Sequence, residues 1–130
     1  MSPVAFLVLA CVLTCATDLS FAQTNASRIV IISDSATIAA ARTGVFVCVA
    51  SGDPAPSISW SRGGAPLSNG TRFSIYEELV TVNGVTFVES ILVICSVEQG
   101  DAAQYSCVAS NSIGSDTANF NLTVNRMFLN

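Results

Sequence analysis

Three residues constrain this chain more than any others: Cys48, Trp60 and Cys107. The tryptophan follows the first cysteine by twelve positions. The second cysteine stands 59 positions after the first and closes the string Asp101-Ala-Ala-Gln-Tyr105-Ser-Cys107. Each of the three falls on the inward side of a short alternating segment. All three are therefore expected in one core between β-sheets.

The rest of the chain is organised the same way. Arg28–Ile32 and Ala36–Ala40 read as edge segments, and Val45–Ala50 as a strand turning Phe46, Cys48 and Ala50 inward. Gly52-Asp-Pro54-Ala-Pro56 is a turn whose prolines forbid a central strand. Ser57–Ser61 directs Ile58 and Trp60 inward, Gly63-Gly64 is a tight turn, and Ala65–Leu67 is a short edge piece. Arg72–Val82 and Val85–Ser96 flank Asn83-Gly84, the strongest short hairpin signal. That turn sets Phe73 opposite Ile94 and Ile75 opposite Leu92 on the core face, so turn chemistry and apolar pattern agree. It also sets Glu78 opposite Glu89, which is unfavourable and predicts a bulge near Glu77-Glu78. Gln104–Ser110, the turn Asn111-Ser-Ile-Gly114 and Thr117–Val124 complete the series, with Ala118, Phe120, Leu122 and Val124 inward. There is no internal repeat and no low-complexity segment.

From about Arg28 to Val124 the chain resembles an immunoglobulin domain of the I-set type. The resemblance rests on Cys48, Gly52-x-Pro54-x-Pro56-x-Ile58-x-Trp60, Leu67, Arg72, Leu92-x-Ile94, Val97, Asp101-x-Ala103-x-Tyr105-x-Cys107, Ala109-x-Asn111-x-x-Gly114 and Leu122-x-Val124. It implies an all-β fold, a two-sheet antiparallel immunoglobulin sandwich with one inter-sheet disulfide between Cys48 and Cys107. Closing so long a loop stabilises by roughly 4 kcal/mol in the chain-entropy model. It also implies Trp60 packed on the bridge, a Tyr105 hydroxyl bonded to backbone near Asp101, and an Arg72–Asp101 pair closing one end. Three features depart from the family pattern. Gly44 stands where an apolar residue is usual, which predicts a lightly filled end of that strand. The Asn83-Gly84 hairpin is long. Cys95 replaces a polar residue.

Residues 1–22 read as a secretory signal peptide. Val4–Thr14 is an apolar run too short to span a bilayer, and Ser20-Phe21-Ala22 offers small residues for cleavage. Residues 23–130 then form a single immunoglobulin-like I-set domain, the size one sandwich requires. The n-region lacks Lys and Arg, a departure from the usual signal. No later stretch is long enough to anchor the chain in a membrane. The expected product is secreted, and a fragment or isoform of a larger receptor is the alternative. Secretion permits disulfides.

The formal net charge is −4, with five basic residues, all arginine, and no histidine. No basic patch recommends a nucleic acid. The absence of histidine removes Ser-His-Asp and Cys-His catalysis and every His-containing zinc site. No metal cluster, phosphate loop or poised nucleophile stands out, so neither catalytic residue nor cofactor is assigned.

Asn25-Ala-Ser27, Asn69-Gly-Thr71 and Asn121-Leu-Thr123 are N-glycosylation acceptors. Asn121 alternates with Phe120 and Leu122, so it points outward beside Ser59, Ser61, Gln104, Ser106, Val108 and Thr123. A glycan there argues against binding through that face. The other sheet differs. Val45, Val47 and Val49 alternate with the core residues of their strand, as do Ile91, Val93 and Cys95 of theirs, with Tyr76 opposite Ile91. A solvent face should be polar at these places. They form a candidate interface for a protein partner or for self-association. The bland alternatives are that β-branched residues merely favour strands, or that the N-terminal strand covers the patch. Cys95 admits three readings: an inert thiol, a disulfide-linked dimer, or a competitor for the core bridge. Alternation turns it away from Cys48 and argues against the last. Together these residues predict an extracellular recognition or adhesion module without catalysis. The alternative is a structural spacer of a larger matrix or receptor protein.

Overall fold

A computed structural model describes residues 25–126. The expected signal peptide and the start at Gln23 lie outside the described residues. Nine strands follow in order: β1 Asn25–Ile32, β2 Ala36–Ala39, β3 Gly44–Asp53, β4 Ser57–Arg62, β5 Ala65–Pro66, β6 Phe73–Val82, β7 Val85–Ile94, β8 Ala103–Ser110 and β9 Ser115–Asn125. A 3₁₀ turn, Gln99–Asp101, joins β7 to β8. One sheet runs β2-β9-β8-β4-β5 and the other β1-β3-β7-β6. All ladders are antiparallel except β2 with β9, which pair in parallel. The N-terminal edge thus crosses from one sheet to the other between Ile32 and Ala36.

Local chemistry sets the turns. Gly63 and Gly64 both have positive φ, as do Asn83 and Gly84, the geometry a two-residue hairpin needs to match strand twist. The β6–β7 ladder then runs unbroken from Phe73–Ile94 to Val82–Val85, with Glu78 directly opposite Glu89. The bulge expected at Glu77-Glu78 is absent. Two carboxylates about 5 Å apart in water repel by under about 1 kcal/mol. Breaking the ladder would forfeit hydrogen bonds and turn half of a strand out of register.

The core lies between the sheets. Phe46, Cys48, Trp60, Leu92, Ile94, Tyr105, Cys107, Phe120 and Leu122 are all buried. Cys48 and Cys107 are bridged, with Cα atoms 6.6 Å apart. Phe46 stacks on Phe120 at 4.4 Å between ring centroids, and Phe120 stacks on Tyr105 at 5.4 Å. Gly44 does not leave the strand end lightly filled. A Cβ there would stand 3.0 Å from Phe46 Cε2 and 3.1 Å from Ile38 Cδ1. The β2 strand brings Ile38 into the space.

One end is closed by a buried carboxylate. Asp101 is 1% exposed. It accepts from Arg72 Nη1 at 2.8 Å and Nη2 at 3.1 Å, from Arg62 Nη1 at 3.3 Å and from the Glu98 amide at 2.8 Å. The Tyr105 hydroxyl donates to the Asp101 carbonyl at 2.7 Å. Both guanidiniums also lie over the Phe73 ring, at 5.5 and 5.3 Å from its centroid. Arg62 is the member sequence reasoning missed. Hydrogen bonds from Arg72 hold the Asp101 carboxyl below the usual carboxylate range, against the opposing effect of burial. Burial pushes the Tyr105 phenol up.

Candidate interaction face

The outer surface of the β1-β3-β7-β6 sheet is built row by row from the ladder. Val45 pairs with Val93, Val47 with Ile91, and Ile91 with Tyr76 on its other side. Residues directly opposite in an antiparallel pair share a face, so the structure brings all five onto one surface with Val49. Val45 is 56% and Tyr76 60% exposed; Val47, Val49, Ile91 and Val93 are half-buried. Cys95 follows the last paired residue of β7 and is an exposed free thiol. It therefore takes no part in the core bridge.

The N-terminal strand does not cover these residues. It pairs edge to edge with β3, Ile31 opposite Val49 and Arg28 opposite Ser51, and so widens the face. A register shift between Ile29 and Ile31 leaves Val30 and Ile31 both exposed, Ile31 at 56%. Val30, Ile31, Val49, Val80, Val82, Phe87 and Glu89 line a shallow groove of about 520 Å³. Strict alternation from Arg28 and Ile29 turns Val30 outward and Ile31 inward. The bulge that brings Ile31 outward beside Val49 depends on the partner strand and has no local signal.

Charge on this face is sparse and ordered. Glu78 and Glu89 pair in the row of Val49 and Ile31. The next row reads Val80, Phe87, Ser51 and Arg28. The acids thus lie toward the β6 edge and the single arginine of these rows at the β1 edge.

The opposite sheet presents a different surface. Asn121 is exposed, and Ser106 donates to Asn119 Oδ1 at 2.6 Å. Asn69 is exposed between β5 and β6, and its Oδ1 accepts the Ile75 amide at 2.7 Å. That contact occupies an otherwise open donor on the β6 edge, where a free strand would invite pairing. Asn25 pairs with Asp53 at the far end of this sheet, one row past Arg28, where Val82 and Val85 also pair and are each half exposed.

Among the described residues, no group of three or more His, Cys, Asp or Glu side chains is placed to hold a metal ion. No helix among them is long and apolar enough to cross a membrane.

The immunoglobulin I-set domain family matches residues 27–124. Cell adhesion molecule Dscam1 of Drosophila melanogaster is 42% identical over 67 residues, covering 52% of this chain and 3% of that protein. Hemicentin-2 of Mus musculus is 38% identical over 77 residues, 59% of this chain and 1% of that protein. Myosin light chain kinase, smooth muscle, of Gallus gallus is 32% identical over 83 residues, 64% of this chain and 4% of that protein. The chain thus spans a few per cent of these relatives' length. Among solved structures, the complex of titin M10 with the obscurin-like 1 Ig domain aligns with a TM-score of 0.67 at 23% identity, over 81% of this chain and 99% of that one. Relatives that include both adhesion molecules and a kinase fix the fold and leave the compartment open. On its matched residues, its two sheets and its Cys48–Cys107 bridge, the chain belongs to the immunoglobulin I-set domain family.

Proposed function

We propose that this domain is an extracellular recognition and adhesion module, and that it binds another protein through the outer face of the β1-β3-β7-β6 sheet. The observation that carries the reading is the apolar surface that runs from Val45 and Val93 through Val47, Ile91 and Val49 to Phe87 and Val80, with the Glu78–Glu89 pair at its β6 side. Water should meet polar groups there. Relatives that are cell adhesion molecules support a protein partner. The reading includes cleavage after Ala22, secretion, and glycans on Asn25, Asn69 and Asn121. It includes no catalysis, no cofactor and no nucleic acid.

The test compares two pairs of substitutions in the secreted chain. Val47→Asp with Val93→Asp should abolish binding to cells, because buried carboxylates without partners oppose contact. Ser59→Asp with Ser106→Asp, on the other sheet, should leave it intact. Loss only with the second pair would move the interface to the opposite face.

A spacer role is the second reading, favoured by the small share of the relatives' length that the chain spans. Binding that survives both pairs of substitutions would support it.

A further inference from the structure

We propose that the partner of this face is a second copy of the chain, the two sheets packing across a two-fold axis that runs along the strands between β3 and β7. The inference rests on the reading of this face as the interaction surface and adds its occupant. Such an axis lays β1 of one copy over β6 of the other and β3 over β7, keeping each row over itself. The sheets then pack face to face with strands nearly aligned, as in sandwich interiors.

Charge selects this arrangement. Arg28 lies one row from Glu78 and Glu89 but at the opposite edge of the sheet. The two-fold axis brings Arg28 of one copy over Val80 of the other. One row along an antiparallel strand is about 7 Å, within the reach of an arginine side chain to Glu78 and Glu89. Both halves of the interface gain the same pairing because the contact is isologous. The other in-plane two-fold axis, running across the strands through the Glu78 row, stacks the acids on their own copies. Like charges pressed together in a drying interface oppose that geometry.

Size is consistent with the same occupant. Four strands about 4.8 Å apart, with rows spanning some 30 Å, present roughly 500 Å² per copy. Two copies bury roughly 1,000 Å², the lower end for a specific interface. Association should therefore be weak, with Kd in the range of about 1–100 µM. Asn25 stands on the β1 edge one row past Arg28, so a glycan there borders the end of the contact and not its centre.

The experiment is charge-reversal complementation on the full secreted chain, read by sedimentation at micromolar concentrations. The wild type should associate. Arg28→Glu alone, and Glu78→Arg with Glu89→Arg alone, should each weaken association at least tenfold, since each opposes like charges across the axis. An equimolar mixture of the two variants should restore it, because both halves then pair opposite charges. All three positions lie on the outer face, and an unchanged circular dichroism spectrum and melting temperature check that each variant folds. A monomeric wild type overturns the proposal, as does association that both reversals leave intact or a mixture that stays monomeric. A monomeric wild type whose cell binding is still lost with Val47→Asp and Val93→Asp overturns the second copy but leaves the face. If those substitutions change neither binding nor association, the face falls as well.

Discussion

The indole Nε1–H of Trp60 donates to the hydroxyl of Ser90 at 2.9 Å, across the sandwich and fully buried. Trp60 belongs to β4 and Ser90 to β7, so the bond joins the two sheets. Ser90 stands directly opposite Cys48 in the ladder, which sets this polar link beside the disulfide. Ser90→Ala leaves the indole donor without a partner where water cannot reach it. The expected cost is about 1–3 kcal/mol, measured by urea unfolding. Trp60→Phe removes the donor and also much apolar area, so it should cost more. A double mutant should show coupling between the two sites; strict additivity would mean that the bond contributes nothing.

Gly44 makes a second prediction, because the space at its α-carbon is taken. Gly44→Ala forces a methyl within 3.0 Å of the Phe46 ring. That ring is held by its stack on Phe120 and cannot simply turn away. Destabilisation of about 1–3 kcal/mol is expected from overpacking. Adding Ile38→Val removes the Cδ1 atom on the other side and should recover part of the loss. A stabilised Gly44→Ala variant would show that this end of the strand is loosely filled after all.

These two positions also mark where the sequence stops being legible. The β6–β7 register could be read because Asn83-Gly84 and the alternation of Phe73, Ile75, Leu92 and Ile94 are local signals that agree. The cysteine bridge and the Tyr105 and Arg72 contacts to Asp101 followed from the family pattern. Ser90 carried no such signal: a serine amid apolar residues looks like any small filler until Trp60 is placed opposite. Ile38 filling the space at Gly44, and Arg62 reaching Asp101, depend on strands brought together only by the fold. On the candidate face, Val45, Val47, Val49, Ile91 and Val93 could be read from alternation, and Tyr76 from the hairpin. Ile31 could not, because the bulge that turns it outward is defined against β3.

Asp101 predicts the acid response. Arg72 lowers its carboxyl pKa in the folded state, so folding favours the ionised form. The stability this contributes is fully present above the unfolded carboxylate value, near pH 4. It is lost as pH falls through the lower folded value. Thermal unfolding of the wild type should therefore fall steeply below about pH 4. Asp101→Asn should flatten that limb and lower stability at pH 7 by about 1–3 kcal/mol, the range for losing hydrogen bonds to a charged group, because Arg72 and Arg62 keep part of their water contact. An unchanged acid limb in the variant would place the titrating group elsewhere.

Cys95 supplies the last prediction. Its thiol is exposed and its chain position follows β7, so the proposed two-fold axis sets it over the end of the partner's β3 and not over its own copy. It should stay reduced in the associated protein. Iodoacetamide applied to the native secreted chain, followed by non-reducing peptide mapping, should place the adduct on Cys95 and recover Cys48–Cys107 as one linked peptide. Cys95→Ser should associate as the wild type does, and reductant should not release the pair. A dimer band that vanishes with reductant, or a linked Cys95 peptide, would mean that the two thiols meet. The axis would then have to shift from between β3 and β7 onto β7 itself, which would carry Arg28 one strand spacing past the partner's β6 and farther from Glu78 and Glu89.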